Sequence, residues 1–363
     1  MSPVSPNEDA WRRLVEVNLG GSSLDGLVFS TPEGVAIEPL YTERHLRGLT
    51  PRGEPAGGPL AARQEPGLPR WVVAERLDVS APRAPERVER AARSGADAVW
   101  LLGGEGVSGA AWEALGRAAG AKLHVLCDVG EAALPARDAP ARAGAARVSA
   151  LYDPVPTAAR QGEAAVQASV AAAAELCCAP ASGAGPVFPL AVRPSLVHEA
   201  GGHAALEIGL TLAALAELVR RLAPLGVSPD RALASTALIV TAGVDQFGAI
   251  AKLRAIRLAH AKLARALGVQ AAPPPYVIGH VSRRAQSRAD APTNHVRATI
   301  EAFSLAVGGA DVVVGRPFDD LGQEPSLLGE RIARNTPLVL REESHLGEVS
   351  DAARGSYFVE ALT

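Results

Sequence analysis

Aromatic side chains are scarce in this chain. Phe, Trp and Tyr make up 4% of its 363 residues, whereas apolar residues together make up 48%. A core built from this sequence must therefore be aliphatic and closely spaced. The length and the apolar content suffice for one large domain or two ordinary ones.

The chain also lacks an excess of charge. Its 36 basic and 39 acidic residues give a net charge of −3, which argues against the basic surface of a nucleic-acid-binding domain. No apolar run reaches the roughly 20 residues that a membrane-spanning helix needs, and the N-terminus has no signal-peptide segment. The three cysteines (Cys127, Cys177 and Cys178) form no disulfide framework, as is usual in a reducing compartment. We therefore expect a soluble, cytoplasmic protein that binds neither nucleic acid nor membrane.

Several catalytic signatures are missing. The chain has no GxxxxGK[ST] loop, no GxSxG elbow and no CxxC pair. The stretch VHEAGGH, residues 197–203, superficially resembles a zinc helix, but His198 and His203 are five residues apart. On a helix their side chains would point about 140° apart, whereas a zinc helix needs a spacing of four. We expect no metal site here and read the stretch as a helix entry with two polar histidines.

From residue 71 onward, short β-rich runs alternate with amphipathic helices. Eight runs predict strands: Trp71–Val79, Asp97–Leu102, Lys122–Asp128, Arg147–Asp153, Val187–Arg193, Thr236–Thr241, Tyr276–Val281 and Asp311–Gly315. The alternation predicts a parallel sheet, and eight repeats fit a (β/α)8 TIM barrel. A doubly wound open sheet is the alternative, but Ser80-Ala81-Pro82 after the first run is not a glycine-rich phosphate turn.

The predicted organisation has three parts. Residues 1–70 are rich in Pro and Gly and predict an extended N-terminal arm that contacts another subunit. Residues 71–336 form the barrel. Residues 337–363 form a C-terminal extension.

The long helix predicted over Asp245–Leu267 has an apolar stripe and basic residues on its other faces. The stripe contains Phe247, Ile250, Leu253, Ile256 and Leu263, and the basic residues are Lys252, Arg254, Arg257 and Lys262. We expect the stripe to pack on the barrel and the basic residues to remain in solvent.

Barrels of this type place their working residues at the C-terminal ends of the strands and in the loops that follow. The polar residues at these positions are Arg76, Asp78, Glu105, Asp128, Asp153, Arg193, His198, Asp245, Gln246, His280, Arg283, Arg284, Arg316, Asp319 and Asp320. Arginines there could hold a phosphate or a carboxylate; helix capping and mutual pairing are the alternative. We take Arg193, His198, Gln246, His280 and Arg283 as the barrel-mouth candidates.

Seven stretches resemble the methylmalonyl-CoA mutase family. They are WRRLVE at 11–16, TPEG at 31–34, PLYT at 39–42, IAKLRAIR at 250–257, RIARNT at 331–336, EESHL at 342–346 and GSYFVE at 355–360. The resemblance runs nearly end to end. It implies a (β/α)8 barrel threaded by an acyl-CoA, whose carbon skeleton rearranges by a radical route that adenosylcobalamin starts from a separate C-terminal domain.

The chain departs from the catalytic members of that family at two reactive positions. Their Arg-Gln-Tyr stretch, whose Tyr contacts the acyl group, aligns with Ala74, Glu75 and Arg76. Their Tyr-His pair, whose His touches the substrate carbonyl, aligns with Ser195 and Leu196. The family Tyr and His positions are thus Arg76 and Leu196, and we expect no catalytic residue in this chain.

Two further departures concern the mouth and the cofactor. A Ser-Gly-Trp-Ser segment of catalytic members reads Ser282-Arg283-Arg284-Ala285 here. The DxHxxG motif that supplies the cobalt-ligating His is absent, and Thr363 falls where the linker to a cobalamin domain would begin.

The HEAG form of the turn resembles the small, non-catalytic subunit of heterodimeric members. We therefore expect a chain that supports a large catalytic mutase subunit, or pairs with itself, in the interconversion of methylmalonyl-CoA and succinyl-CoA. Adenosylcobalamin would belong to the holo-complex and not to this chain alone, while an acyl-CoA is a possible ligand. The alternatives are an active mutase barrel that uses a cobalamin domain in trans, and a stand-alone degenerate barrel that binds acyl-CoA.

Overall fold

The N-terminal arm combines a helix with a small hairpin. The computed structural model describes residues 8–47, 71–154, 162–179, 187–321, 324–349 and 351–363. The arm begins with helix α1 (Glu8–Asn18), followed by a 3₁₀ turn, an antiparallel pair of short strands, β1 (Phe29–Ser30) and β2 (Ala36–Ile37), and a second 3₁₀ turn at Glu43–Leu46.

The arm contacts both the barrel and the C-terminal segment of its own chain. A carboxylate oxygen of Glu33 accepts a hydrogen bond from the backbone N–H of Ala204 at 2.9 Å, and the Tyr41 ring lies 4.9 Å from that of Phe358. Residues 48–70 lie outside the described residues. The contact of the arm with another subunit stays a prediction.

Within the described residues, eight parallel strands form the barrel. They are β3 (Val72–Asp78), β4 (Ala98–Leu102), β5 (His124–Asp128), β6 (Arg147–Ser149), β7 (Leu190–Val192), β8 (Thr236–Ala242), β9 (Tyr276–Val281) and β10 (Val312–Val314). Their order is β6-β5-β4-β3-β10-β9-β8-β7. The ring closes between its two ends through a parallel bridge from Tyr152 to Leu190. The predicted (β/α)8 TIM barrel is confirmed.

Helices surround the barrel. Their bounds are α2 (Ala84–Arg93), α3 (Gly109–Ala119), α4 (Ala133–Arg142), α5 (Glu163–Cys178), α6 (Ser195–Glu199), α7 (Ala204–Leu222), α8 (Pro229–Ala234), α9 (Gln246–Ala266), α10 (Ala291–Val307), α11 (Leu327–Glu342) and α12 (Tyr357–Leu362). Ser108, Asp245 and Ser326 begin α3, α9 and α11 by accepting a backbone N–H with their side chains, which satisfies donors that a helix start leaves free. In the described ranges, no helix combines the length and the hydrophobicity that crossing a bilayer requires.

The barrel interior is filled by side chains, because alternate residues of each strand face inward. The larger members of this interior cluster are Trp100, Leu126, Phe188, Tyr276 and Ile278. Two further clusters lie on the outer face of the barrel, where outward-facing strand residues pack against the helices. The strands therefore read as continuous aliphatic runs because both of their faces are covered.

One glycine sets the distance between the last strand and its helix. A Cβ atom at Gly315 would lie 2.0 Å from the backbone oxygen of Ala333. Only a residue without a side chain fits here, so Gly315 lets α11 approach the end of β10.

The expectation that the basic residues of α9 remain in solvent was wrong for three of the four. Lys252, Arg254 and Arg257 are buried, with 5, 7 and 7% of their surface exposed. Lys262 is exposed, and Phe247, assigned to the apolar stripe, is 48% exposed.

These three cations are buried because α9 has partners on several sides. Lys252 donates to Glu207 of α7 at 2.6 Å, and Arg254 donates to Glu360 of α12 at 2.7 Å. Arg257 donates to the carbonyl oxygen of Gly309, after α10. A helix with one packed face would leave such residues in solvent, whereas α9 is covered by three neighbouring segments.

Candidate functional site at the barrel mouth

The barrel mouth is formed by inward-facing residues at the C-terminal ends of the strands. Arg76 on β3 and His280 on β9 face it from within strands, while Arg193 and Arg316 follow β7 and β10. Trp100 lies beside Arg76 in the register of β3 with β4. Arginine side chains and the Trp100 ring therefore lie together at the mouth.

Arg193 joins the carboxylates of two other strand ends. Its guanidinium is ion-paired with Asp128, which ends β5, and its Nε lies 3.8 Å from Asp153 Oδ2. Burial raises the pKa of Asp128, and the charge of Arg193 opposes this shift. Arg193, one of the predicted mouth residues, thus has two carboxylate counterions within the protein.

A second ion-paired group lies at the ends of β3 and β10. Asp320 Oδ2 accepts hydrogen bonds from Arg316 at 2.6 Å and from Arg76 at 3.2 Å. Asp320 and Arg316 are buried, while one-third of the Arg76 side chain is exposed. Arg76, predicted to align with the family Tyr, therefore takes part in an ion pair.

His280 is an uncharged part of the mouth. Its Nε2 is hydrogen-bonded to Thr241 Oγ1 at 2.9 Å, and its ring lies 5.2 Å from that of Trp100. Burial, assisted by the charge of Arg316, lowers the pKa of His280 to about 3. The imidazole is therefore neutral at physiological pH and is held by its hydrogen bond to Thr241.

His198 faces inward from α6. Its Nε2 is hydrogen-bonded to Ser282 Oγ at 3.0 Å. Burial, followed by the charges of Lys252 and Arg284, lowers the pKa of His198 to about 3. His203 has a different role, because its Nδ1 accepts the N–H of Leu206 and begins α7.

Glu199, the second residue of the HEAG motif, holds the loop after β9 by hydrogen bonds. The carboxylate of Glu199 accepts the backbone N–H groups of Arg283 and Arg284 at 2.9 and 3.0 Å. Arg284 in turn donates to the carbonyl oxygen of His198 at 2.8 Å. The HEAG motif is therefore hydrogen-bonded in both directions to the loop that carries Arg283.

A deeper polar layer supports this arrangement. Glu301 is fully buried, and its Oε2 accepts the N–H of Ser282 at 2.7 Å. Burial raises the pKa of Glu301 to about 8. Sequence reasoning missed both Glu301 and Glu207, because each lies within a helical pattern whose only signal is a single acidic residue among apolar neighbours.

The remaining candidates are distributed around the rim. Gln246 is the first residue of α9 and is partly buried, whereas Arg283 is exposed. Leu196, predicted to align with the family His, is 54% exposed. The mouth thus contains Arg193, His198 and His280 in its interior, and Gln246 and Arg283 at its edge.

A cavity lies at the opposite end of the barrel. It has a volume of about 220 Å³ and is lined by Val187, Phe188, Leu233, Ala234, Thr236, Pro273, Pro274 and Tyr276. The rings of Phe188 and Tyr276 stack with centroids 4.1 Å apart. Since both rings also belong to the interior cluster, they separate this cavity from the barrel axis.

Both histidines of the mouth make hydrogen bonds within the protein. The Nε2 atoms of His198 and His280 are already hydrogen-bonded to hydroxyl groups. In the part of the chain that the structure describes, no three His, Cys, Asp or Glu residues form a group suited to a metal ion.

Comparison with known proteins identifies relatives. The family described as methylmalonyl-CoA mutase matches residues 165–363. The methylmalonyl-CoA mutase small subunit of Streptomyces virginiae is 34% identical over 392 residues, which cover 98% of this chain and 61% of that protein. The small subunit of Propionibacterium freudenreichii subsp. shermanii is 38% identical over 174 residues, 47% of this chain and 27% of that one.

The chain is thus shorter than the relatives that it matches. A superposition on the dihydropteroate synthase of Yersinia pestis has a TM-score of 0.38 at 14% identity and covers 76% of this chain and 93% of that one. The family match extends over more than half of the chain and includes α9, α11 and α12. The chain belongs to the methylmalonyl-CoA mutase family and, within it, resembles the small subunit.

Proposed function

We propose that this chain is a non-catalytic barrel that supports a larger, catalytic methylmalonyl-CoA mutase chain. The observation that carries the proposal is the state of the two reactive positions. Arg76 is ion-paired with Asp320, and Leu196 is 54% exposed on the outer side of α6. Neither supplies the phenol or imidazole that would contact a reacting acyl group.

The barrel interior supports the same proposal. An acyl-CoA that threads a barrel needs an open axis, whereas Trp100, Phe188 and Tyr276 belong to the buried interior cluster here. Each of these rings fills space that a pantetheine chain would need. A close-packed interior stabilises a scaffold.

The arm supplies a surface for a partner. Leu14, Val17 and Phe29 are 61, 73 and 61% exposed, and no residue of α1 is buried. Exposed apolar side chains grouped in one segment are typical of protein–protein contacts. We propose that these residues lie against the larger chain, and that adenosylcobalamin, which starts the radical reaction, is bound by that chain.

Co-expression with a large mutase subunit that carries an affinity tag tests the proposal. We expect the untagged chain to co-purify and the complex to isomerise methylmalonyl-CoA when adenosylcobalamin is added, while this chain alone does not. The double variant Leu14→Asp, Phe29→Asp should lose most of the co-purification. Leu225→Asp is the matched control, because Leu225 is 48% exposed on the barrel, away from the arm.

Four results would overturn the proposal. The chain could remain alone with every large subunit offered, or it could pair only with itself. It could also produce succinyl-CoA when mixed with a free cobalamin-binding domain, which would make it a catalytic barrel acting in trans. Calorimetry with acyl-CoAs distinguishes a stand-alone binding protein, since tight binding without a partner contradicts a purely supporting role.

A further inference from the structure

The C-terminal helix α12 is fixed on α9 by one buried arginine. Arg254 of α9 donates hydrogen bonds to Glu360 at 2.7 Å and to Asp351 at 3.1 Å. It also donates to Thr363 Oγ1 at 3.0 Å, and only 7% of its surface is exposed. Because a single guanidinium holds three side chains of the C-terminal segment, α12 has a defined position on the barrel.

An aromatic side chain of α12 is in contact with the N-terminal arm. The Phe358 ring lies 4.9 Å from the ring of Tyr41 in the arm and 5.5 Å from the ring of Phe247 in α9. The Tyr41 ring lies 4.6 Å from that of His45, within the second 3₁₀ turn. These separations are typical of attractive aromatic pairs. Phe358 therefore joins the arm to the first turn of α9.

The same 3₁₀ turn holds helix α1. Glu8, the first residue of α1, has its Oε1 at 2.9 Å from Arg44 Nε, and its Oε2 accepts the hydroxyl of Thr42 at 3.2 Å. Arg44 is also paired with Glu38, before the turn, at 2.5 Å. No residue of α1 is buried. Since α1 has no side chain in a core, its position depends on surface contacts of this kind.

We propose that α12 sets the position of α1 on the barrel and thereby the geometry with which the arm meets its partner chain. The contacts run from α9 to α12, from α12 to the second 3₁₀ turn, and from that turn to α1. They hold the exposed Leu14 and Val17 of α1 in one orientation, and a segment that is ordered before binding loses less conformational entropy on binding. Phe358 and Arg44 are positioning residues in this arrangement, and its effect on the partner rests on the proposed function.

The hairpin of the arm has an anchor of its own. Glu33 accepts the N–H of Ala204 at 2.9 Å, and the N–H of Thr31 donates to the carbonyl oxygen of Val35 at 2.9 Å. The hairpin is therefore an internal reference. Loss of the contact with α12 should release α1 and the second 3₁₀ turn but not the hairpin.

Hydrogen exchange of the full chain, followed by mass spectrometry without a partner, tests the positioning. Phe358→Ala should accelerate exchange in Glu43–Leu46 and in α1 about five- to tenfold, as expected when two aromatic contacts are lost. The hairpin and the strands β8 and β9 should be unchanged. Tyr357→Ala is the matched control, because Tyr357 is a 42% exposed aromatic residue of the same helix, and it should leave exchange in the arm unchanged.

Arg44→Gln separates the two steps. It removes the ion pairs with Glu8 and Glu38, so exchange should accelerate in α1 and not in α12. Arg47→Gln is its control, because Arg47 is exposed at the end of the same turn. Equal exchange in α1 for Phe358→Ala and Tyr357→Ala would overturn the positioning role of α12.

Titration of each variant with the tagged large mutase subunit tests the consequence for binding. Phe358→Ala should bind about tenfold more weakly than the parent chain, the factor that corresponds to the loss of preorganisation in one segment. Equal binding of Phe358→Ala and the parent would show that the position of α1 does not matter to the partner. A parent chain that binds no large subunit would refute the proposed function, whereas the exchange pattern of the chain alone would still decide whether α12 positions α1.

Discussion

The buried ion pair between α7 and α9 gives a sharp prediction of stability. Lys252 Nζ donates to Glu207 Oε2 at 2.6 Å, and the two residues are 5 and 0% exposed. Replacing Lys252 by Met keeps the aliphatic stem but leaves the Glu207 carboxylate buried without its cation. Breaking one side of a buried pair costs about 3–5 kcal/mol in the free energy of unfolding.

The cost should depend on pH in a defined direction. Burial already raises the pKa of Glu207, and Lys252 opposes that shift. Without Lys252 the pKa in the folded state rises further above its value in the unfolded chain. Stability is then lost as pH increases through the folded pKa, so Lys252→Met should cost less at pH 5 than at pH 8.

Urea unfolding followed by circular dichroism measures both effects. Lys262→Met is the control, because Lys262 is exposed on the same helix and its replacement should change stability by less than about 0.5 kcal/mol. The double variant Lys252→Met, Glu207→Met should recover most of the loss, since an apolar pair of similar volume often replaces a buried ion pair without cost. A single variant that costs under about 1 kcal/mol, or a double variant that is the sum of two large losses, would refute the reasoning.

Three further predictions concern the mouth. The pKa of Glu301 is about 8 in the folded chain, whereas 4.5 is its ordinary value. The free energy of unfolding should therefore fall as pH rises from about 4.5 to about 8. Glu301→Gln should flatten that part of the urea-midpoint profile and be the more stable form at pH 8, by up to a few kcal/mol. Glu199→Gln leaves one acceptor for the backbone N–H groups of Arg283 and Arg284, and hydrogen exchange at these two amides should accelerate several-fold while the barrel strands are unaffected. Leu196→His should add an imidazole that titrates near 6.5 by NMR, since position 196 is exposed; a pKa near that of His198 would mean that α6 can turn its residue 196 inward.

The fold could be predicted because its signal is local. Runs such as Ala237-Leu238-Ile239-Val240 are aliphatic on both faces, as parallel strands covered on both sides are. Each run is followed by a helix that can connect it to the next parallel strand. All eight predicted strands overlap an observed strand, and Tyr276–Val281 has the same bounds. The ends of the strands differ most at β6 and β7, where ring closure depends on the isolated bridge from Tyr152 to Leu190.

The interior polar contacts could not be predicted, because their partners are distant in the sequence. Arg254 is 97 residues from Asp351 and 106 from Glu360. A helical pattern assigns a basic residue to solvent by default. Only the packing of α12 on α9 shows that this face is covered. The positions of the mouth residues followed from the barrel rule, whereas their pairings did not.

Positions 76 and 196, which we propose to be the reactive positions of the family, have different surroundings in this chain. An arginine at position 76 brings a positive charge onto an inward-facing row, and a charge there requires a counterion, which Asp320 supplies. On α6, His198 and not Leu196 faces inward, with 6% and 54% of their surfaces exposed. His198 binds Ser282 and so joins α6 to the loop that carries Arg283. On the alignment that we propose, ion pairs and hydrogen bonds surround the positions of the family Tyr and His, and restoring a single Tyr or His would not undo these contacts.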